Sequence, residues 1–557
     1  MALGSVSGQA RFENPREVLG DRLVGLYRFL AVEGGRLFGD GYFADLYTRS
    51  RLGRPTVPAR VLATVMVLQA FEGLSDREAV DRLGRDLAWQ AACGVDVGHE
   101  AFHATVLVGV RNRLRGSDRP RRFLDDTRVM ARESGVMRDR VRVLDSTPIY
   151  DAVSTQDTIT QLRAAIRKML AVLRLDYPVL AVAARAACSR DDEYVSPGRP
   201  PCDWDDREAK ELLVDALVRD ALAVLEVLDG EVMSGGAADA VDLLAVVAGQ
   251  DVVMGDDGRF RIVRAVARDR VISTVDPQAR HGHKSRSRRF DGYKGHVSAD
   301  PDSEIIDNVT VTPANLADQA AVDELLNLDD DTAATDETID DETIDGNGTA
   351  TDNIDETADI SDCDSGDADR KPVAMGDSAY AGAELRERLE KHGYRVKAKV
   401  PPASNRDGLF SKDDFTIDLE TETVWCPAEF DTPIRRHPDG TGTASFGDMC
   451  HRCPLRERCT TATAGRTINI SVHEARMQQA KTEQANPDWK ADYRATRPKI
   501  ERKIGHLTRR LHGGRRARCR GTARVLTDFI TRAAAINLQR LATLGLHHDT
   551  TWTIATT

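Results

Sequence analysis

Apolar residues recur at helical spacing through residues 17–115, with no proline after Pro58, and Ser75-Asp-Arg-Glu78 has the side chains of a helix capping box. The pattern predicts an all-helical N-terminal domain over 1–135. Within it, VLATVMVLQAFEGLSDREAVDRL reads as two helices joined around Glu72-Gly73. That arrangement suits a DNA-binding helix-turn-helix or an ordinary helical hairpin, and pattern alone favours the hairpin. The longest apolar stretch, Val61 to Phe71, contains Gln69 and is well short of the ~18 residues that suggest a membrane span. A buried helix is expected there, and no membrane partner.

The period then changes. In VRVLDST, Val141, Val143 and Leu144 lead into Asp145, which predicts a buried strand ending in an acid, within a segment 136–150. Helical spacing returns over 158–185 and 206–229, forming a helical insertion at 151–265. Strand character resumes at Tyr293–Ala299 and in the β-branched run at Glu304–Val311, a hairpin joined by Asp300-Pro-Asp-Ser303, followed by a helix at Asp318–Leu328. This makes 266–328 one stretch of core. Pro372-Val-Ala-Met-Gly then leads to Asp377, a helix at Ala383–His392 and a strand at Tyr394–Val400, so the core continues over 371–400. A Cys-rich insertion at 401–475 and C-terminal helices at 476–545 complete an α/β chain. The expected architecture is a mixed sheet with helices on both faces.

Length and charge adjust this picture. A chain of 557 residues with 41% hydrophobic and 30% charged positions suits a globular protein of two to four units. Its net charge of −12 argues against a nucleic-acid partner until the distribution is considered. Residues 329–369 hold 17 Asp and Glu and no Lys or Arg, which leaves +5 on the remainder. With its DETID-DETID tandem, the 329–370 insertion is expected to be a disordered, solvated spacer; an acidic DNA mimic is the alternative. The first residues lack the basic start and apolar run of a secretory signal, and a cytoplasmic chain is expected.

The candidate chemistry rests on acids. Asp145 and Asp377 each follow a short apolar run and each precede Ser; taken alone, either is an ordinary turn former or helix cap. At the carboxyl ends of adjacent strands, two such acids project into one crevice and can share a cation. Glu501 is the only acid from Arg494 to Arg524, a stretch with 12 Lys and Arg. It fits a metal ligand beside bound anion, or a salt bridge to Arg497 or Arg502, and Pro498 leaves open whether one helix carries Tyr493, Arg497 and Glu501. The segment 280–296 offers phosphate contacts from Lys284, Arg286, Arg288, Arg289 and Lys294 beside Phe290 and Tyr293. Tyr493, Arg497 and the cations from Arg509 to Arg520, including Arg515 and Arg516, form a second basic face.

LDST, DPQARHGHKSRSRRFDGYKGHVSAD, VTPAN, GDSAY and YRATRPKIERKIGHL with RRARCRG, in that order, together resemble the DDE-type transposases of bacterial insertion sequences, nearest to insertion sequence family eleven-eighty-two, related to the four/five group. The resemblance implies a ribonuclease-H-like catalytic core with Asp145, Asp377 and Glu501 as first, second and third acids. It implies Mg²⁺ or Mn²⁺, as two ions, and metal-dependent cleavage at transposon ends with strand transfer into target DNA. It also implies a homodimer on double-stranded DNA, associated with the chromosome, and points to Tyr293 and Lys294 at the DNA. A catalytically inactive DNA-binding remnant or repressor, and a nuclease without strand transfer, are the alternatives. The acidic insertion departs from the family pattern.

Four of nine cysteines, Cys426, Cys450, Cys453 and Cys459, have the spacing C-x23-C-x2-C-x5-C, which suits a structural Zn²⁺; four reduced thiols are the plainer reading.

Overall fold

The computed structural model describes residues 14–47, 56–138, 140–264, 266–285, 287–328, 371–404 and 408–555. The acidic segment expected at 329–370 lies outside them. The central sheet is built from β1 (Val141–Tyr150), β2 (Arg280–Ser285), β3 (Arg288–Ala299), β4 (Ile306–Pro313), β5 (Val373–Gly376) and β6 (Arg395–Ala398). β3 runs antiparallel to β1, and its other edge is covered by β2 along its first part and by β4 along the rest. β5 and β6 lie parallel on the far side of β1, giving the order β4-β3-β1-β5-β6. Gly292 sits where β2 hands over to β4, at φ +135°; a Cβ there would lie 2.3 Å from the Ile149 carbonyl oxygen, so only glycine lets β3 approach β1 this closely.

The hairpin expected around Asp300–Ser303 is present, with Val297 opposite Val309. One expectation needs correction. β1 does not end at its acid but continues to Tyr150, because Pro148 and Ile149 keep pairing with Lys294 and Tyr293 of β3. The basic segment before β3 is itself a strand, β2, which its charge pattern concealed.

The helix Thr522–Thr543 is the spine of the molecule. Phe529, Ile530, Ala533, Ala534, Leu538 and Leu541 are buried along it, in one core with Leu62, Met66 and Leu68 of the helix Ala59–Glu72 and with Val297, Val309 and Ile306 of the sheet. Asn537, fully buried, seals the contact: its Oδ1 accepts from Ile306 N (2.8 Å), and its Nδ2 donates to the Ile306 carbonyl (2.8 Å) and to Thr127 Oγ1 (3.0 Å). The capping box at Ser75 is formed, with Ser75 N donating to Glu78 Oε2 (2.7 Å) and Glu78 N to Ser75 Oγ (3.3 Å). The helix before it, Ala59–Glu72, is buried on nearly every side and ends on Gly73 at φ +66°.

The insertion after β1 has a core of its own. Helices Thr158–Asp176, Pro178–Ala187, Arg207–Val227 and Gly236–Gly249 enclose Leu162, Ile166, Met169, Leu217, Val224 and Leu244. The last helix and a hairpin of Val252–Met254 with Phe260–Ile262 were not anticipated: GAADAVDLLAVVAG is apolar nearly all round and so has little periodicity. The Cys-rich unit forms two small three-stranded sheets around Phe415, Val424, Ala444 and Ile468.

Candidate active site

Strand register places the first two acids side by side. Val143 of β1 is opposite Met375 of β5, and the parallel pairing stops there, so Asp145 and Asp377 occupy matching positions two residues further on. Neighbouring strands are about 4.8 Å apart, and the end of pairing opens a notch at that level. Each carboxylate is fixed by a nearby amide: Ser146 N donates to Asp145 Oδ1 (2.8 Å), and Ala379 N donates to Asp377 Oδ1 (2.8 Å). The second bond makes Asp377 the N-cap of a short 3-10 turn, Ser378–Tyr380.

The helix Pro487–Leu507 packs on β1 and runs unbroken through Pro498. Tyr493, Arg497 and Glu501, spaced by four, therefore share a face. The Tyr493 hydroxyl donates to the Gly376 carbonyl (3.1 Å), and its ring stacks on Trp489 at 4.9 Å and 8°. Arg497, only 8% exposed, places Nη2 3.0 Å from Asp145 Oδ2. Its Nη1 is buried and has no hydrogen-bond partner among the described residues. Glu501 lies one turn further along and is exposed. Among the described residues neither suggested salt bridge to it forms, because Arg497 pairs with Asp145 and Arg502 with Glu304.

The electrostatics follow from burial and neighbours. Burial pushes the Asp145 carboxyl above the usual carboxylate range; Arg497 and the Ser146 amide oppose this, and Asp377 adds to it. For Arg497, burial disfavours charge, but Asp145 and then Asp377 outweigh it and hold the guanidinium charged. The Tyr380 hydroxyl is raised well above its ordinary value by burial, with Asp318, Asp145 and Asp377 all pushing the same way, and it has no hydrogen-bond partner among the described residues.

Two carboxylates at one level fit a divalent ion of the Mg²⁺ kind, which one or two carboxylates commonly hold together with substrate phosphate and water. Among the described residues no three His, Cys, Asp or Glu side chains are gathered closely enough to hold an ion, so Glu501 stands apart from the aspartate pair. The four cysteines of interest line one small cavity with Phe415 and Phe446 and are free thiols. Leu455 N donates to Cys453 Sγ (3.4 Å) and Arg466 N to Cys450 Sγ (3.3 Å). Burial pushes the Cys459 thiol up; Arg466 opposes this, and the other three cysteines add to it.

The residues expected at DNA divide. Lys284, Arg288 and Arg289 are exposed on the β2–β3 hairpin, and Arg286 lies outside the described residues. Arg515 and the exposed Arg516 flank the end of β1, where Tyr150 N donates to the Arg515 carbonyl (2.7 Å) and Ala517 N to the Tyr150 carbonyl (2.8 Å). Three expectations are corrected. Tyr293 is 0% exposed and its hydroxyl donates to Asp276 (2.7 Å), which removes it from any DNA surface. Lys294 is tied to Asp318 (2.8 Å) and the Leu316 carbonyl (2.7 Å) rather than offered to phosphate. Arg497 is buried against Asp145, so it belongs to the notch between the acids rather than to an open basic face. Sequence reasoning passed over Asp318 as a site residue, because it starts a helix five residues beyond its strand instead of following it directly as Asp377 does.

Two comparisons bear on this arrangement. Residues 33–113 match a family model described as transposase domain (DUF772), and residues 426–542 match one described as transposase DDE domain. Among curated proteins and solved structures, none matches the chain. The two domain matches indicate a transposase and support the DDE type. The second spans the four cysteines, Tyr493, Arg497 and Glu501, while Asp145 and Asp377 lie between the matched segments.

Proposed function

We propose that the chain is a ribonuclease-H-like DDE transposase that cleaves DNA at transposon ends and joins them to target DNA, with Asp145, Asp377 and Glu501 as its acids. The observation that carries the reading is the register match of Asp145 and Asp377 across adjacent parallel strands. The strand order β4-β3-β1-β5-β6 and the helix that puts Glu501 on the Arg497 face support it further.

Asp145 and Asp377 would hold Mg²⁺ or Mn²⁺, and Glu501, brought to them when DNA binds, would complete a two-ion site supplying the Lewis acidity that activates an attacking oxygen and neutralises a leaving one. The remaining work belongs to the chain. Asp145 and Asp377 stay anchored by backbone amides. Arg497 offsets part of the penalty that burial places on the Asp145 charge, and its free Nη1 is a donor for a phosphate oxygen entering the notch. Lys284, Arg288, Arg289, Arg515 and Arg516 bind the backbone of double-stranded DNA without reading its sequence. Two DNA ends handled together call for a homodimer on the DNA. The four cysteines line one small cavity, and Cys450 and Cys453 accept backbone N–H hydrogen bonds at sulfur, but as placed they are not gathered closely enough to hold an ion, so the structural Zn²⁺ rests on their sequence spacing and would draw them together.

The test is Mg²⁺-dependent cleavage and joining of a DNA carrying the element's own terminal repeats. Wild type is expected to perform both, and Asp377→Ala and Glu501→Ala neither; activity retained in either variant overturns the acid assignment. Cleavage without joining would leave a nuclease, and DNA binding without cleavage a repressor. Metal analysis should find one zinc per chain, lost in Cys450→Ser, and a folded zinc-free protein would remove that assignment.

A further inference from the structure

Asp318 and Gln319 follow β4 at the start of a short 3-10 helix, Asp318–Ala321, outside every role given so far. Each touches the residue that anchors one acid. Ser146, whose amide holds Asp145, donates its Oγ to Asp318 Oδ2 (2.8 Å). Ala379, whose amide holds Asp377, accepts at its carbonyl from Gln319 Nε2 (2.9 Å). Two consecutive residues thus span both turns of the site, one bond to each side.

This bridge is built in rather than incidental. Asp318 Oδ1 accepts from Lys294 Nζ (2.8 Å), and Lys294 is also bonded to the Leu316 carbonyl (2.7 Å), so the carboxylate is held from β3 as well. Opposite Gln319 stands Gly382, where a Cβ would lie 2.7 Å from Gln319 Nε2, so the absence of a side chain is what admits the amide. Asp145 lies just beyond the last paired residues of β1 and β5, so strand pairing no longer fixes its distance from Asp377 at that level. A metal-dependent site tolerates only about 0.5 Å of looseness in its ligands. Some other contact must set the gap, and this pair of residues provides it.

We propose that Asp318 and Gln319 are positioning residues that fix the separation of Asp145 and Asp377, so that the two carboxylates meet one divalent ion without rearranging. The inference rests on the transposase reading above. Residues that orient ligands in this way typically cost about 10–100-fold in metal affinity when removed.

The test is Mn²⁺ binding, followed by electron paramagnetic resonance of the free ion, on the full chain bound to terminal-repeat DNA. Gln319→Ala and Ser146→Ala, which leave Lys294 paired, are expected to weaken Mn²⁺ binding about tenfold while the melting temperature and DNA affinity stay at wild-type values. Asp318→Asn is expected to do the same or more, and should it fail to fold, the first two variants decide. Wild-type Mn²⁺ affinity in both Gln319→Ala and Ser146→Ala, with binding abolished in Asp377→Ala, overturns the brace and leaves the acid site standing. Undiminished Mn²⁺ binding in Asp377→Ala, or none in wild type, overturns the acid site and the brace with it.

Discussion

Arg497 meets two needs with one planar group: Nη2 neutralises Asp145, and Nη1 is left buried with a donor to give. A lysine at this position keeps the charge but has no second arm of fixed geometry. Arg497→Lys should therefore lower cleavage roughly tenfold or more, the worth of one charge-assisted hydrogen bond of about 1.5–3 kcal/mol, with DNA affinity nearly unchanged. Equal cleavage rates in the two proteins would refute the role of Nη1. Another single residue sets a pH dependence. His296 is fully buried with Nε2 against Thr312 Oγ1 (2.8 Å), and burial pushes its pKa down to about 4, reinforced by Lys294 and opposed by Asp318. Its folded pKa is thus below the unfolded value near 6.5, and the unfolded chain binds more protons between the two. Stability is expected to fall as pH drops from about 6.5 to about 4, with His296 contributing up to about 3 kcal/mol of the loss. Urea denaturation of His296→Gln across that range should show a shallower slope; an identical slope would show that His296 is not the titrating group.

At the scale of elements, the site depends on the Pro487–Leu507 helix staying continuous past Pro498. A helix-interior proline costs about 3 kcal/mol, and here the ring faces solvent and removes only the bond to the Arg494 carbonyl. Pro498→Ala should raise stability by about 1–3 kcal/mol in thermal denaturation and leave cleavage intact, since Arg497 and Glu501 already share a face. A drop in stability would mean that the ring makes a contact worth more than the missing bond. Pro498 also marks where sequence reading ran out: whether one helix or two carried Glu501 was open until packing against β1 settled it. Asp145 was legible as an acid after an apolar run, yet its strand was read five residues short, because alternation along β1 cannot reveal that β3 continues beside it. Periodicity found the first three helices of the insertion but not the Gly236–Gly249 helix, whose buried stripe of Ala237, Ala240, Leu244 and Val247 is masked in the sequence by apolar residues such as Ala245 and Val246 on its exposed face. Tyr293 failed for the opposite reason: an aromatic among cations suggests DNA, and only the fold shows that it alternates inward to reach Asp276.

At the scale of the whole molecule, the net charge of −12 and a DNA substrate are compatible because the exposed cations cluster. Lys284, Arg288 and Arg289 project from the β2–β3 hairpin, and β1 ends between that hairpin and the strand-like segment of Arg515 to Ala517. Binding through such contacts weakens with salt, with log affinity falling by about 0.9 per phosphate neutralised for each decade of salt. Arg288→Ala with Arg289→Ala should flatten the salt dependence of DNA affinity by roughly two such increments, an effect that titrations at several salt concentrations would measure. An unchanged slope would place the DNA elsewhere. No helix among the described residues is long and apolar enough to cross a membrane.

The spine helix has a bearing on the order in which the protein comes into being. Leu62, Met66 and Leu68 emerge from the ribosome early, but their packing partners on Thr522–Thr543 emerge more than 450 residues later. The strand at Ile306 likewise waits for Asn537 before its edge is sealed. A chain cut short before that helix therefore exposes the faces that the longer one hides, and one ending before Arg497 also lacks the cation that pairs with Asp145. The fold that sets the two aspartates beside Arg497 is therefore assembled late, from segments that are far apart along the chain.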